Sequence, residues 1–434
     1  MKQPINIFWF RRDLRLYDNN GFSKALKSNY KVLPIFIFDS NILDKLPKDD
    51  ARVTFIYNTL QTMRESLQKN NKSDIALFYG TPLEVFKILI KTYNIHTVYT
   101  NHDHEPYGKE RDRSIEHFLK KEKIAFRTYK DHVIFERSEI VKNNGEPYMV
   151  YTPYMKAWKQ KFTIEHLDKY KTEENFNNLY SSKQTKDLEL VDIGFKKSGQ
   201  YIKAYNIDSE LIETYEAKRN FPAEDATSRL GPHLRFGTVS IREIVKKSLS
   251  QENPTFLNEL IWREFFMQIL WHFPYTVDYC FKTKYERLEW RNNETDFKAW
   301  CFGQTGYPLV DAGMRQLNKT GFMHNRVRML VGSFLCKHLL IDWRWGEAYF
   351  AEKLHDYELS SNVGNWQWVA GCGVDAAPYF RIFNPITQVK KFDKNLEYIN
   401  KWVPEFQELT YPKPIVEHKF ARERCLEFYK KALN

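Results

Sequence analysis

The run INIFWF at residues 5–10 begins a series of short apolar segments that sets the fold class of the N-terminal part. Longer amphipathic stretches separate the members of this series. Strands that alternate with helices in this way are typical of a doubly wound parallel sheet, which predicts an α/β domain over residues 1–132. The further segments are VLPIFIF at 32–38, DIALFY at 74–79, HTVYT at 96–100 and IAFRTY at 124–129.

The segment at 49–70, between the second and third predicted strands, has the pattern of an amphipathic helix. Phe55, Leu60, Met63 and Leu67 recur at near-helical spacing, so one face of this helix can cover the sheet. No GxGxxG follows the first predicted strand. The usual dinucleotide-binding fingerprint is therefore absent from that position.

Residues 133–195 are rich in polar and charged residues, and SSKQTKD at 181–187 indicates a turn or irregular chain. We interpret 133–195 as an interdomain connector. Beyond it, residues 254–273 and 324–341 have helical length and few strand signals. The sequence therefore predicts a second, larger and all-helical domain over 196–434.

The charge of the chain favours a polyanionic partner. At pH 7 the formal net charge of the 434 residues is +11, and phosphate contacts with nucleic acid require clustered Lys and Arg. Hydrophobic residues make up 42% and charged residues 28%, which is typical of a folded, soluble chain rather than a disordered one. This length fits two domains.

Cysteine usage and the N-terminus predict a reduced, cytoplasmic protein. Five cysteines without a CxxC pair argue against a disulfide framework and against a zinc site, so we expect no metal. The apolar run before the charged segment Arg11–Asp13 has only six residues, 5–10, and this is too short for the apolar core of a signal peptide or for a membrane span. We therefore expect no membrane partner.

The helical half contains four motif clusters in succession. They are Tyr215 to Arg219 with TSRLGPHLRFG at 227–237, ELIWREFF at 259–266, TGYPLVDAGMRQLNKTGFMHNRVRML at 305–330, and HDYELSSNVGNWQWVAGCGVDAAPYFRIFNPITQ at 355–388. With the opening FWFRRDLRLYDN at 8–19, these clusters resemble the photolyase/cryptochrome family, closest to class I cyclobutane pyrimidine dimer photolyases. The resemblance is strongest over 215–392. It implies an FAD cofactor, UV-damaged DNA as partner, and light-driven repair by a carbon–carbon lyase.

By this resemblance a U-shaped FAD is buried in the helical domain. Hydroxyl groups and free backbone N–H groups at the start of a helix bind phosphate well, and Thr227 to Leu230 are implied at the phosphate–ribityl part. A simple Thr or Ser N-cap is the alternative for this stretch. Gly231 and Glu358 replace the Ser and Asp of many members. The implied FAD contacts are Tyr215, Thr227, Ser228, Arg229, Leu230, Arg328, Asp356, Glu358 and Asn362.

Four of these positions, Arg328, Asp356, Glu358 and Asn362, are implied to border the flavin ring. An anionic reduced flavin needs a nearby cation, which Arg328 supplies, and Asp356 can pair with Arg328 and fix its orientation. Asn362 can hydrogen-bond flavin N5 without readily donating a proton, whereas plant cryptochromes carry an acid there. Asn362 therefore favours a reduced, repair-competent flavin. An Asn that satisfies the backbone of a loop is the alternative.

Trp290, Trp343 and Trp366 match the electron-transfer chain of the family. The resemblance places Trp366 nearest the flavin and Trp290 nearest solvent. Indole suits such a relay because it is oxidised at an accessible potential without needing a net charge. Ordinary core packing is the alternative for all three.

The resemblance also implies a pocket for a flipped dimer. Photolyases are among the enzymes that extrude a damaged nucleotide, because their chemistry cannot reach it in the stack. Trp262 and Trp368 are implied to hold the dimer between aromatic surfaces, while Glu259 and Asn325 bond its base edges and Met329 packs at the wall. Core packing is the alternative for the aromatic residues. The implied catalytic residues are Glu259, Asn325, Met329 and Asn362.

Two features refine the implied substrate. The segment MHNRVRM at 323–329 lacks the histidine pair that (6-4) photolyases place there, so it favours the cyclobutane lesion. Several basic residues match positions that face DNA in the family, although exposed Lys and Arg are often only a solvated face. The implied DNA-binding residues are Arg219, Trp262, Arg263, Arg326, Trp368, Arg381 and Gln388, extended by Lys390 and Lys391.

Other functions stay open at this point. A cryptochrome-type blue-light photoreceptor and a DASH-type single-strand repair enzyme are the main alternatives. Glu259, Trp262, Asn362 and the short chain after the last motif, which predicts no long C-terminal tail, argue against a cryptochrome. A nucleotide-metabolising enzyme that uses only the α/β domain leaves the motifs of the helical half unexplained.

A second, antenna chromophore is expected from the resemblance, and folate, deazaflavin and FMN are the candidates. Folate-type members carry an Asn-Glu pair on the loop after the fourth strand, where this chain has EPYG at 105–108. This departure weighs against folate but does not decide between the others. We expect a monomer.

Overall fold

The computed structural model describes residues 3–181 and 188–433. The chain divides into two compact units. Unit 1 comprises Met1–Glu136, Lys161–Ala204 and Leu230–Lys247, and unit 2 comprises Arg137–Gln160, Tyr205–Arg229 and Ser248–Asn434. This discontinuous division differs from the continuous ranges 1–132, 133–195 and 196–434 that the sequence predicts.

The predicted connector supplies chain to both units, because it contains an amphipathic helix at 151–161 that packs within unit 2. Most of the predicted turn at 181–187 lies outside the described residues, which end at 181 and resume at 188.

Unit 1 contains a five-stranded parallel sheet in the order β3-β2-β1-β4-β5. Apolar segments that are buried on both faces favour this arrangement, and the predicted strands are confirmed to within two residues at each end. The strands are β1 (Pro4–Phe10), β2 (Val32–Asp39), β3 (Ala76–Gly80), β4 (Asn94–Asn101) and β5 (Ala125–Tyr129).

The two faces of this sheet carry separate apolar cores. Phe8, Phe36 and Leu60 belong to one core, and Ile7 and Trp9 belong to the other, as the alternation of side chains along a strand requires. The predicted amphipathic helix is confirmed at Ala51–Asn71. The α/β fold class is therefore correct.

Several helices begin at side-chain caps, such as Asp50, Thr81, Asp208 and Asn384, because these oxygens satisfy free backbone N–H groups. They are α1 (Asn20–Leu26), α2 (Ser40–Leu43), α3 (Ala51–Asn71), α4 (Pro82–Thr92), α5 (Pro106–Lys121), α6 (Tyr151–Lys161), α7 (Ser209–Lys218), α8 (Gly231–Phe236), α9 (Ile241–Leu249), α10 (Thr255–His272), α11 (Glu294–Phe302), α12 (Pro308–Thr320), α13 (Asn325–Ser333), α14 (Trp343–Lys353), α15 (Leu359–Ala370), α16 (Pro385–Phe392), α17 (Glu397–Trp402) and α18 (His418–Leu433). Short 3₁₀ turns occur at Ile164–Leu167, Glu173–Asn178, Leu190–Ile193, Pro274–Val277 and Thr283–Arg287.

The described part of unit 2 is helical, as predicted. The segment predicted at 254–273 is α10, and the segment at 324–341 is α13 followed by a π-helical turn at Phe334–Leu339. Buried residues of α12, α13 and α15 contribute to the apolar core of unit 2. This core also contains Trp300, Trp343 and Trp366. It therefore positions two of the three tryptophans of the predicted relay.

Helix α6 is joined to α10 by a buried polar contact. Trp158 Nε1 donates to Glu264 Oε2 at 2.6 Å, and both residues are almost fully buried. Tyr154, one turn earlier on α6, packs on Phe265 with ring centroids 5.4 Å apart. These contacts make α6 a wall of unit 2.

Within residues 3–181 and 188–433, no helix has both the length and the apolar character that crossing a bilayer requires. The same residues contain no group of three or more His, Cys, Asp or Glu side chains arranged to hold a metal ion.

Candidate active site

Asn362 is held by a carboxylate that the sequence patterns do not single out. Its Nδ2 donates to Glu347 Oε1 at 2.9 Å and to the Glu347 backbone carbonyl at 3.1 Å. Because both acceptors hold the amide nitrogen, the amide oxygen Oδ1 is the atom that can accept a hydrogen bond from a ligand. Burial raises the pKa of Glu347, and the hydrogen bonds from Asn362 and Tyr357 oppose this rise.

The predicted pairing of Asp356 with Arg328 is present in the structure. Arg328 donates from Nη1 and Nη2 to the two carboxylate oxygens at 3.1 and 2.9 Å, and from Nε to the Met323 carbonyl at 2.7 Å. A bidentate pair fixes the plane of a guanidinium as well as its position. Arg328 is thus a cation of defined orientation.

Glu358 forms a second bidentate pair, with Arg263. The two guanidinium nitrogens lie 3.0 and 3.2 Å from the carboxylate, and the side chains are 11% and 6% exposed for Arg263 and Glu358. A DNA phosphate would have to compete with this buried carboxylate. The geometry therefore favours a positioning role for Arg263 over the predicted DNA contact.

The stretch 227–229 presents buried polar atoms without partners. Thr227 Oγ1 and Arg229 Nε are both inaccessible and make no hydrogen bond. Arg229 adopts φ 56°, in the left-handed region that is strained for a side chain of this kind, and its guanidinium lies 3.6 Å from the Phe322 ring centroid. Buried polar groups rarely lack partners in folded proteins. Phosphate or ribityl oxygens of FAD would satisfy these two, so the residues fit this cofactor.

The alternative of a Thr or Ser N-cap at this stretch is wrong. The N-cap of α8 is Leu230, and it makes no side-chain cap hydrogen bond.

Among the three tryptophans of the predicted relay, Trp290 is the most exposed. Trp366 and Trp343 are buried, at 3% and 0% exposure, while Trp290 is only partly buried and packs on Phe428 with ring centroids 5.6 Å apart. The indole of Trp366 fills the space beside Gly346, where an added Cβ would come within 2.2 Å of it. Trp366 is therefore held rigidly in the core.

Trp262 is stacked on a tyrosine from α6. The Tyr151 and Trp262 rings are parallel to within 7° with centroids 3.6 Å apart, and Phe265 and Phe266 each lie 5.6 Å from Trp262. Trp262 itself is partly exposed on α10. The predicted substrate tryptophan thus projects from an aromatic cluster, while Trp368 is partly buried against the core of unit 2.

Glu259, one turn before Trp262, forms an ion pair with Arg219. Burial raises the pKa of Glu259, and the neighbouring Arg219 acts in the opposite sense. Tyr215 packs edge-on against Phe256 at 5.2 Å, and burial raises its pKa to about 12. Arg219 and Glu259 therefore occupy one region, although the sequence assigns them separately to DNA and to the dimer.

The first turn of α13 carries the other predicted contacts. Asn325 is exposed, and Arg326 donates to Asn220 Oδ1 at 2.5 Å and contacts Met329 Sδ at 3.7 Å. His324 caps this helix, since its Nδ1 accepts from the Arg326 N–H at 3.2 Å. Burial, and then the neighbouring arginines, lower the pKa of His324 to about 4, so it is a neutral acceptor at pH 7.

The loop before α16 brings a basic and an aromatic side chain to the surface. Arg381 is exposed and Phe380 is 62% exposed. Gln388 is half-buried on α16, and Lys390 and Lys391 follow it as exposed residues. These groups are accessible to a large polyanion.

Two family models match this chain. Family models match residues 6–173, as DNA photolyase, and 256–410, as the FAD binding domain of DNA photolyase. A deoxyribodipyrimidine photo-lyase of Alkalihalophilus pseudofirmus is 36% identical, with 98% of each chain covered. This chain belongs to the DNA photolyase family. It therefore contains the FAD-binding domain that characterises photolyases.

Solved photolyases share the whole fold with this photolyase-family protein. A class III photolyase from Agrobacterium tumefaciens matches with a TM-score of 0.90 and 33% identity, over 100% of this chain and 98% of the other. An archaeal photolyase from Sulfolobus tokodaii, described with two FAD molecules, matches with a TM-score of 0.83 and 32% identity, over 99% and 100%. The two-part fold is thus that of the photolyase family.

Two residues of the site escape the sequence motifs of this family member. Glu347 fixes Asn362, and Tyr151 stacks on Trp262. A carboxylate inside the apolar helical run WRWGEAYF could have been suspected of burial with a partner. The spacing of Tyr151, Tyr154 and Trp158 could have predicted an amphipathic helix inside the connector.

Proposed function

We propose that this protein repairs cyclobutane pyrimidine dimers in DNA with light, as a deoxyribodipyrimidine photo-lyase that uses FAD. The observation that carries the proposal is the fixed orientation of Asn362. Since Nδ2 is held by Glu347, Oδ1 faces a ligand as an acceptor, and the N5 position of a reduced flavin carries a hydrogen that needs one. A site that favours the reduced flavin suits repair.

When bound, reduced FAD supplies the light-driven electron that opens the cyclobutane ring and takes it back afterwards. The residues of this chain bind and orient it. Thr227 and Arg229 offer unpaired polar atoms to the phosphate–ribityl part, and Tyr215, Ser228, Leu230 and Glu358 complete the proposed set. Arg328, held by Asp356, places a cation beside the negative charge of the ring.

The flipped dimer stacks between Trp262 and Trp368 in this proposal. Glu259 and Asn325 hydrogen-bond the base edges, and Met329 closes the wall. Arg219, Arg326, Arg381 and Gln388 contact the phosphates, which fits the net charge of +11. Trp366, Trp343 and Trp290 carry electrons inward when the resting flavin is oxidised.

A second, light-harvesting chromophore is also proposed. The archaeal photolyase that matches this chain is described with two FAD molecules, with the implication of a novel light-harvesting cofactor. Folate, deazaflavin and FMN are the candidates here. The mass of the chromophore that is released on denaturing the purified protein distinguishes among them.

The decisive experiment is repair of a thymine-dimer oligonucleotide by the purified, reduced holoprotein under blue light and in darkness, with duplex and single strand. The proposal expects light-dependent recovery of thymines in the duplex. Recovery in single strands alone would indicate a DASH-type enzyme, and no recovery with bound, reduced FAD would indicate a cryptochrome-type photoreceptor. We propose that the protein is cytoplasmic and acts as a monomer. Light scattering of the free and DNA-bound protein tests the monomeric state.

A further inference from the structure

Tyr151 occupies one face of the tryptophan that is proposed to stack on the dimer. The 3.6 Å separation between the two ring centroids is shorter than the 4.5–7 Å that aromatic pairs commonly show, and the rings deviate by only 7° from parallel. A pyrimidine could stack at that face of Trp262 only after Tyr151 had left.

Tyr151 is anchored at both ends, so it does not leave readily. Its hydroxyl donates to the Asn258 carbonyl at 2.7 Å, and its backbone N–H donates to Asp375 Oδ2 at 3.1 Å. Its exposure is 8%. Asn258 and Trp262 lie four residues apart on one face of α10, so the hydroxyl and the ring of Tyr151 grip the same helix surface.

We infer that Tyr151 is a positioning residue for the dimer, which holds the Trp262 ring in one plane as a preformed stacking surface. This inference rests on the proposed function. A surface that is ordered before binding loses less conformational entropy when the dimer arrives, and this raises affinity without a new contact to DNA. Glu259, which lies between Asn258 and Trp262 on α10, faces the same region, so the stack also borders the proposed base-edge contact.

The test compares dissociation constants of purified, reduced holoprotein for a dimer-containing duplex and an undamaged duplex. Tyr151→Ala is expected to weaken dimer binding about tenfold, the scale of one base–aromatic stack. Binding of undamaged duplex and repair per absorbed photon at saturating substrate should not change. Tyr151→Phe keeps the stacked ring and is expected to restore dimer affinity to within about threefold of wild type.

A double-mutant cycle asks whether Tyr151 acts through Trp262. In a Trp262→Ala background, Tyr151→Ala should add no further loss of dimer affinity, because the ring that it positions is gone. A second loss as large as the first would overturn the inference. If Tyr151→Ala does not fold, as judged by far-UV circular dichroism, Tyr151→Leu takes its place in the cycle.

Tyr154→Ala is the matched control, since this tyrosine lies on the same helix and packs on Phe265 rather than stacking on Trp262. An equal loss of dimer affinity in Tyr154→Ala would mean that α6 matters only as structure, and would refute the positioning role. Wild-type repair with normal dimer binding by Tyr151→Ala would refute this inference alone. Failure of wild type to bind dimer DNA would refute the proposed function and this inference together.

Discussion

The amide nitrogen of Asn362 lies 2.9 Å from Glu347 Oε1, so a carboxylate 15 residues earlier in the chain sets which amide atom remains available as an acceptor. The second hydrogen bond, to the Glu347 carbonyl, excludes the flipped amide, since an oxygen there would oppose two acceptors. An acidic side chain at position 362 would need a bound proton to make these contacts, because both partners are hydrogen-bond acceptors.

Asn362→Asp is therefore expected to lower the repair rate by about tenfold or more. A tenfold change corresponds to an interaction energy of one pKa unit. Two carboxylates this close raise the pKa of one of them, and the retained proton lies beside the position proposed for N5. Repair of the dimer oligonucleotide and the lifetime of the reduced flavin in air are the measurements. Asn365→Asp, on the exposed side of the same helix, is the control, and a wild-type repair rate in Asn362→Asp would contradict the prediction.

Trp262→Ala is expected to weaken binding of dimer-containing DNA by roughly 1–3 kcal/mol, the loss of one base–aromatic stack. Dissociation constants measured at fixed salt concentration test this, because salt changes every phosphate contact. Trp271→Ala is a matched control on the same helix. The Arg137 guanidinium carbon lies 4.6 Å from the centroid of the Trp271 ring. Equal losses in both variants would show that the effect is not specific to the pocket.

Trp366→Phe is expected to block light-driven reduction of the oxidised flavin and to spare repair by enzyme that was reduced chemically. Phenylalanine keeps the packing against Phe350, at 4.9 Å, but is not oxidised at the potential of indole. Bleaching of the oxidised flavin under blue light and repair after chemical reduction are measured separately. Trp300→Phe, whose ring lies 6.1 Å from Trp366, is the control. Loss of repair by chemically reduced Trp366→Phe would show that the relay assignment is wrong.

Glu358→Leu is expected to lower the free energy of unfolding by about 3–5 kcal/mol, because it leaves the buried Arg263 guanidinium without its carboxylate. Urea denaturation of the holoprotein measures this. The exposed pair between Lys142 and Glu146 is the comparison, and Glu146→Gln should leave stability unchanged. A small effect of Glu358→Leu would mean that water or another group reaches Arg263.

The buried side chain of Lys337 leads us to expect that the free energy of unfolding rises with pH in the alkaline range. Its ammonium is buried in the π-helical turn, donates to the Ala370 and Tyr379 carbonyls at 3.2 and 3.1 Å, and lies 4.2 Å from the Tyr429 ring. Burial lowers its pKa to about 8, although the thiols of three neighbouring cysteines act in the opposite sense.

Between about pH 8 and the ordinary lysine pKa, the unfolded chain binds a proton that the folded chain does not, so this residue makes folding more favourable as pH rises. The contribution reaches about 3 kcal/mol across that window. The difference in unfolding free energy between wild type and Lys337→Met, followed from pH 7.5 to about 10, isolates it. A difference that does not vary with pH would contradict the lowered pKa.

The sheet could be predicted from the sequence because its strands are short apolar runs between amphipathic helices, a local pattern. The position of Tyr151 could not, because its stacking partner lies more than one hundred residues later and belongs to another element. The bond between Glu347 and Asn362 bridges two helices, so no single periodicity reveals it. For Arg263, the motif predicts a contact with DNA, and only the geometry shows that Glu358 already pairs with its guanidinium.

The docking of α6 on α10 also governs the order of assembly during synthesis. Trp158 and Glu264 are separated by 106 positions in the chain. At a ribosomal rate of about 5–20 residues per second, Trp158 emerges roughly 5–20 seconds before its partner exists. During that interval the apolar side of α6 lacks the α10 surface on which it packs in the folded protein, and exposed apolar surface favours aggregation. A pause in translation between these two residues would therefore increase the fraction of nascent chains that aggregate.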